Sequence, residues 1–160
     1  MPGDAGGEAI SWTLLILRDL HAGPARFKDL QTGLKSIASN LLSGRLQALE
    51  VSGLVQKIQS DYGVSLYALT PQGEKTDRLL FELARFGGLM PHPSNIQKPG
   101  NLRTIAVSLG TACKKAAGPD HNFTAKLSID QEAFRLTARD CDAQIRARAA
   151  ENPVYPQQQT

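Results

Sequence analysis

The alternation of apolar and polar positions is most regular between residues 36 and 69. A helix is predicted first, because apolar side chains recur at helical spacing at Ile37, Leu41, Leu42, Leu46 and Leu49. Ser39 suits the N-cap of this helix and Gly53 its C-cap. Residues 54–59 and 64–69 are short strand-like runs, and the turn-like segment 60–63 separates them. A helix that leads into a hairpin, after a shorter helix, is the arrangement of a winged helix-turn-helix.

Two helices are predicted before this stretch. From Ile10 to Leu20 apolar residues surround most of a helix, so this helix is buried either in the domain core or half in a subunit interface. Residues 21–24, His-Ala-Gly-Pro, end it, since glycine and proline do not continue a helix. Residues 26–33 form a short amphipathic helix with Phe27 and Leu30 inward.

A longer helix is predicted after the hairpin. Thr70 suits its N-cap and Pro71 its first position, and the helix runs to about residue 86. Its apolar stripe comprises Leu79, Leu80, Leu83 and Phe86, with Phe81 as a further candidate. This is more apolar surface than a small domain buries, which favours a contact between two copies of the chain.

The second half of the chain predicts a helix followed by an antiparallel meander. Residues 101–117 form the helix, and the strand-like runs are 122–129, 133–138 and 142–149. The predicted fold class is α+β, a winged helix-turn-helix domain followed by a small helix plus an antiparallel three-stranded sheet. The predicted divisions are a winged-helix domain over 10–90, a linker over 91–100, a small α+β domain over 101–150 and a flexible tail over 151–160.

Composition favours a soluble globular protein. The chain has 160 residues and a formal net charge of +3, and no apolar run approaches the ~20 residues of a membrane span. Residues 1–10 are acidic and glycine-rich, unlike the basic start of a signal peptide. Cys113 and Cys141 form no metal or redox motif, so we expect free thiols in a reducing cytoplasm, and the two could pair only if the fold brought them together. No membrane partner is expected.

Basic side chains concentrate around the predicted helix-turn-helix. Within residues 26–57 they are Arg26, Lys28, Lys35, Arg45 and Lys57, against the acidic Asp29 and Glu50. Such a local excess suits contact with the phosphates of double-stranded DNA, and we expect Arg26, Lys28 and Lys35 to make these contacts. Ordinary solvated charges are the alternative for each of them. Arg45 either reaches a base or phosphate or braces the helix by pairing with a carboxylate.

The polar face of the second helix predicts approach to base edges. Its side chains are small or form hydrogen bonds, and they are Ser39, Asn40, Ser43, Gly44 and Gln47. The alternative is the solvated side of an amphipathic helix. Tyr62, at the predicted wing tip, either contacts the DNA backbone or packs at the base of the hairpin.

Several motifs resemble the HxlR family of bacterial transcriptional regulators over residues 11–88. In the family's order they are Trp-Thr-Leu-Leu-Ile-Leu-Arg at 12–18, Gly-Pro at 23–24 with Arg-Phe-Lys-Asp-Leu at 26–30, Leu-Ser-Gly-Arg-Leu-Gln-Ala-Leu-Glu at 42–50, Gly-Leu-Val at 53–55 and Leu-Thr-Pro-Gln-Gly at 69–73. The resemblance implies a homodimeric winged-helix DNA-binding protein whose flanking helices form the dimer. It places the groove-reading positions on the polar helix face just described, with Arg45 alongside.

The chain also departs from that family. Members commonly carry a cysteine shortly before the tryptophan, whereas residues 4–8 here contain none, so thiol sensing at that site is not expected. Asn40 stands where arginine or lysine is usual, and Gly44 where a long polar residue is usual. Residues 122–153 more weakly resemble the start of a sterol-carrier-like domain, but the remaining elements of a lipid pocket are missing. Because so small a unit buries little core, we expect it to pack on its own first domain or on a partner subunit.

Three hypotheses of function follow. The first is a sequence-specific DNA-binding regulator, acting as a homodimer on a roughly palindromic operator. The second is a protein that binds a small apolar ligand, with weakened DNA binding, and the third is a protein-interaction module. An enzyme is not expected, since none of His21, His92 and His121 lies beside a nucleophile in the sequence. No cofactor or metal is predicted either.

Overall fold

Eleven helices and strands lie within the part of the chain that the computed structural model describes, residues 5–34, 37–60, 62–91, 103–129, 132–140 and 142–147. In chain order they are α1 (Ala5–His21), α2 (Phe27–Gly33), α3 (Ser39–Val51), β1 (Val55–Gln59), β2 (Ser65–Leu69), α4 (Pro71–Glu74), α5 (Asp77–Gly88), α6 (Thr104–Ala116), β3 (Phe123–Ile129), β4 (Glu132–Arg139) and β5 (Asp142–Ala147). The predicted α+β class is confirmed. The linker after residue 91 and the whole tail over 151–160 lie outside the described residues.

The core of the winged-helix unit forms where α1, α2 and α3 meet. Ile16 and Leu20 of α1, Leu30 of α2, and Leu42 and Leu46 of α3 are all fully buried in one cluster. The apolar positions predicted for α3 therefore face this core. Helix α1 begins at Ala5, earlier than the predicted Ile10, because extending an existing helix costs far less than nucleating a new one.

The two ends of α3 are built differently from one another. Ala38, not Ser39, occupies the N-cap, so the prediction for Ser39 was wrong: its hydroxyl instead accepts a hydrogen bond from the Gln31 side chain of α2. At the other end Gly53 has φ 71° and directly follows the C-cap Ser52. The Gly53 and Leu54 amides donate to the carbonyls of residues 50 and 49, which makes a Schellman motif.

The hairpin that follows α3 is joined by one isolated bridge to the chain before α2. β1 and β2 pair antiparallel with Val55 opposite Leu69. Ala25, just before α2, pairs with Tyr67 through two backbone hydrogen bonds of 3.0 and 2.8 Å. The chain before α2 is thereby fixed to the hairpin, which holds α2, α3 and the wing in one unit.

The helix predicted from Thr70 to residue 86 is interrupted. Thr70 caps α4 as predicted, its hydroxyl accepting from the Gly73 amide at 3.0 Å. The chain then tightens at Lys75 and Thr76 before α5 begins, and the Thr76 hydroxyl donates to the Gly73 carbonyl at 2.7 Å. A hydroxyl that occupies this carbonyl competes with the helical backbone bond, which accounts for the break.

The C-terminal helix and sheet pack on the winged-helix unit of the same chain. The sheet has the order β3-β4-β5, and Phe134 and Ile145 are buried in a small cluster that includes Ala22 from the end of α1. Val107 of α6 joins the main core, and the Ala147 amide donates to the Ala22 carbonyl at 2.9 Å. The first domain of the same chain, one of the two packing partners expected for this small unit, is thus in contact with it. Within the described residues, no helix is long and apolar enough to span a membrane.

Gly73 is the position where the junction of hairpin and α4 tolerates no side chain. A Cβ there would lie 2.0 Å from the Leu54 carbonyl oxygen, which is backbone. Gly73→Ala is expected to lower the free energy of unfolding by roughly 1–3 kcal/mol or more, as overpacking does. Gly87→Ala is the matched control, because nothing lies within 4 Å of its Cβ position and alanine favours a helix. Urea denaturation of both variants checks this, and equal stabilities would contradict the close packing at Gly73.

Candidate nucleic-acid interface

One face of α3 is presented to solvent in full. The five predicted base-reading residues, Ser39, Asn40, Ser43, Gly44 and Gln47, are all exposed. They lie opposite the buried stripe that anchors the helix. No atom lies within 4 Å of a Cβ placed on Gly44, so internal packing does not require glycine at this position. The centre of the exposed face is therefore shallow, and another surface can approach its backbone closely.

Two side chains at the start of this face are already held by hydrogen bonds. Ser39 accepts from the Gln31 amide at 2.5 Å, which links α3 to α2. The Asn40 carbonyl oxygen accepts from the Leu41 backbone amide at 2.9 Å. The Asn40 side chain is thereby oriented, and its NH2 group is left to donate to an outside acceptor.

The predicted phosphate-binding cations are only partly available. Arg26 and Lys28 are exposed at the start of α2. Asp29 accepts from the Arg26 backbone amide at 3.0 Å, so this carboxylate caps the helix through the backbone. Lys35 lies outside the described residues. Lys57, which added to the local positive excess, forms an ion pair with Glu50 at 3.5 Å and therefore contributes little free charge.

Arg45 lies half-buried at the edge of the α3 face. Its Nε is shielded from solvent and has no hydrogen-bond partner among the described residues. The ion pair that would brace the helix is not formed there. A shielded donor without an acceptor costs about 1–3 kcal/mol, so this conformation of Arg45 is unfavourable.

Tyr62 projects from the tip of the wing. Its side chain is 80% exposed, so the alternative of packing at the base of the hairpin was wrong. The turn is closed by the Gly63 amide, which donates to the Ser60 carbonyl at 2.8 Å, and Gly63 has φ 70°. The phenol is thereby carried outward on a defined turn.

The described candidates thus come from three connected places: the face of α3, the start of α2 and the tip of the wing. The hydrogen bonds between Ala25 and Tyr67 and between Gln31 and Ser39 connect these places.

The sequence model of the HxlR-like helix-turn-helix family matches residues 9–94. The chain belongs to this family. The match ends before α6, so the sterol-carrier resemblance of the second half stays a prediction.

Two named relatives are similar to about half of this chain. YtfH of Escherichia coli K12, named an uncharacterized HTH-type transcriptional regulator, is 36% identical over 77 residues, which cover 46% of this chain and 60% of YtfH. YvaP of Bacillus subtilis, named in the same way, is 29% identical over 85 residues, or 52% of this chain and 79% of YvaP. This chain thus spans three fifths of the length of YtfH.

Solved structures of YodB from B. subtilis are also similar. The reduced form, titled a transcriptional regulator, has a TM-score of 0.47 and 24% identity, and the match covers 59% of this chain and all of YodB. The quinone-bound form has a TM-score of 0.45 and 26% identity, with 52% and 91% coverage.

An apolar stripe on α5 is the second surface feature, and the sequence indicated only part of it. Leu80 is buried, whereas Leu79, Leu83 and Phe86 are 54%, 45% and 60% exposed. Leu89 and Met90, which follow the helix, extend the exposed set and were not predicted. Leu89 and Met90 lie three and four positions after Phe86, and this helical spacing could have predicted the two that were missed.

Proposed function

We propose that this protein is a sequence-specific DNA-binding transcriptional regulator that acts as a homodimer on a roughly palindromic operator. The observation that carries the proposal is the exposed face of α3, whose small and hydrogen-bonding side chains sit on a helix anchored by buried leucines. Membership of the HxlR-like family and the names of YtfH and YvaP support it.

In this proposal α3 enters the major groove. Asn40 and Gln47 carry amides, which pair with adenine through its N6 and N7 atoms. Ser39 and Ser43 offer hydroxyls, and Gly44 lets the helix backbone come close to the bases. Gly44 has no side chain, and the amide of Asn40 is held in one orientation. The preferred bases therefore differ from those of a relative with longer side chains at these two positions.

The DNA backbone is held on both sides of the groove. Arg26 and Lys28 bind phosphates from the start of α2, and Lys35, expected from the sequence, is a third such contact. Tyr62 donates its hydroxyl to a phosphate from the wing tip. Arg45, half-exposed at the edge of the α3 face, directs its guanidinium to a phosphate or base beside the groove.

The homodimer forms through the exposed stripe of α5. Leu79, Leu83 and Phe86 recur on one face, and the described part of the chain leaves that face uncovered. A second copy related by a two-fold axis covers it with the same residues. Two α3 helices then face half-sites about one helical turn apart, which makes the operator palindromic.

Loss of one phosphate contact changes the salt dependence of DNA binding. Lys28→Ala is expected to reduce the slope of log K against log salt concentration by about 0.9, because one counterion fewer is released. Fluorescence anisotropy with a labelled duplex of arbitrary sequence measures the slope without knowledge of the operator. Lys126→Ala, an exposed lysine on β3, is the matched control and should leave the slope unchanged. Absence of salt-dependent binding by the wild-type protein would instead favour the ligand-binding or protein-interaction alternatives.

The dimer depends on the α5 stripe. Phe86→Glu places a charge in the apolar contact, so we expect the variant to sediment as a monomer at concentrations where the wild-type protein is dimeric. Phe123→Glu is the matched control, because Phe123 is also an exposed phenylalanine, at 47% against 60%, but lies on β3. Sedimentation equilibrium of the three proteins decides the point. A dimer that survives Phe86→Glu but not Phe123→Glu would move the interface to the C-terminal sheet.

A further inference from the structure

A polar cleft lies where the winged-helix unit meets the C-terminal helix and sheet. Its walls come from the ends of α1 and α4, the start of α5, the middle of α6 and strand β5. The polar lining residues are His21, Glu74, Asp77, Thr111, Lys114 and Arg146, with Gln144 at the β5 side. Its volume is about 40 Å³, against the roughly 10–15 Å³ that one water needs. A small molecule, or the charged end of a larger one, therefore fits.

Charges of both signs are balanced around the cleft. Arg146 pairs with Glu74 at 3.1 Å, and Lys114 pairs with Asp77 at 3.2 Å. Lys114 is also 4.0 Å from Asp142, at the outer end of β5. Two cations and two carboxylates line the cleft itself, so its formal charge is zero when His21 is neutral.

His21 is held neutral at the centre of these charges. Burial lowers its pKa to about 4; Asp77 and Glu74 oppose the shift, and Arg146 and Lys114 add to it. The Thr76 hydroxyl gives its only proton to the Gly73 carbonyl, so His21 Nε2–H must donate to Thr76 Oγ1, at 3.0 Å. His21 Nδ1 is then an acceptor with a lone pair.

Thr111 supplies an independent sign that something polar belongs in the cleft. The residue is 4% exposed and lines the cleft, yet its hydroxyl has no hydrogen-bond partner among the described residues. A buried hydroxyl left without a partner is unfavourable. A polar molecule in the cleft would satisfy it once the Thr111 side chain turns its hydroxyl, which is shielded in this conformation, toward the opening.

The charge pattern selects the class of ligand. An apolar molecule would strip water from four charged groups and return no hydrogen bonds. A simple anion would be repelled by Glu74 and Asp77, and a simple cation by Lys114 and Arg146. A molecule with one positive and one negative group close together matches both pairs.

We propose that this cleft binds a small zwitterion of the α-amino-acid type. Its carboxylate lies against Lys114 and Arg146, its ammonium group lies against Glu74 and Asp77, and the Thr111 hydroxyl bonds to it. Its side chain points to the open mouth. The cleft walls include both the end of α1 and the start of α5. A bound molecule would therefore change how α5, the proposed dimer helix, packs on the winged-helix unit. This regulatory step rests on the proposed function, whereas the binding step does not.

Calorimetric titration of the full chain, without DNA, tests the binding step. The probes are the standard L-amino acids, one at a time, and then the N-acetyl and carboxamide derivatives of those that bind. At least one free amino acid should bind, and blocking either charge should weaken binding at least about tenfold. Thr111→Val should weaken it roughly three- to tenfold. This variant keeps the side-chain volume and removes a hydroxyl that has no hydrogen-bond partner within the described part of the chain, so it should fold.

The matched control is Thr124→Val, which makes the same change on the exposed part of β3 and should bind like the wild type. Absence of binding by every amino acid would overturn the proposal. Equal binding by the blocked derivatives would overturn the zwitterion chemistry, and equal binding by Thr111→Val would overturn the location. The titration contains no DNA, so none of these results would count against the proposed DNA binding. If the protein failed to bind DNA, the titration could still be interpreted.

Discussion

Burial of one leucine stripe of α3 against α1 and α2 determines which side chains the protein offers to a partner. Leu42, Leu46 and Leu49 leave almost no area exposed, and each fully buried leucine contributes roughly 1.5–3 kcal/mol. A rotation of α3 about its axis would expose this stripe and bury its polar face, so the orientation is strongly fixed. The exposed face with Gly44 at its centre is the direct consequence.

The junctions around α3 then set the direction of the neighbouring elements. Gly53 in the left-handed region turns the chain into the hairpin, and its carbonyl accepts from the Thr70 hydroxyl at the far end of β2. Gly73 packs on the backbone carbonyl of Leu54. Hairpin, α4 and the end of α3 therefore meet at one point, where small residues and backbone hydrogen bonds leave no room for side chains. This rigidity lets α3 and the wing tip act as one surface, while α5 leaves the junction with an apolar face outward.

Periodic features of this structure could be predicted from sequence, whereas features that depend on contacts between distant residues could not. The α3 stripe, the hairpin and the meander repeat every three to four or every two residues, and the exposure of Ser43 and Gln47 follows from the first of these patterns. The capture of Ser39 by Gln31 is different, because it joins residues eight apart and removes Ser39 from the N-cap. The same holds for His21, whose burial depends on side chains from α4, α5, α6 and β5. The break after α4 results from the hydrogen bond that the Thr76 hydroxyl donates to the Gly73 carbonyl, which a helical pattern does not reveal.

We propose above all that the exposed face of α3 reads DNA sequence in a two-fold symmetric dimer. Selection of binding sites from a random duplex library, with the full chain at near-physiological salt, tests it most directly. We expect an enriched palindromic motif with half-sites about one helical turn apart, and for Asn40→Ala a relaxed preference at a symmetric pair of positions. A folded, dimeric protein that enriches no motif would contradict the claim. An enriched motif that is unaffected by substitutions on the α3 face would contradict it equally.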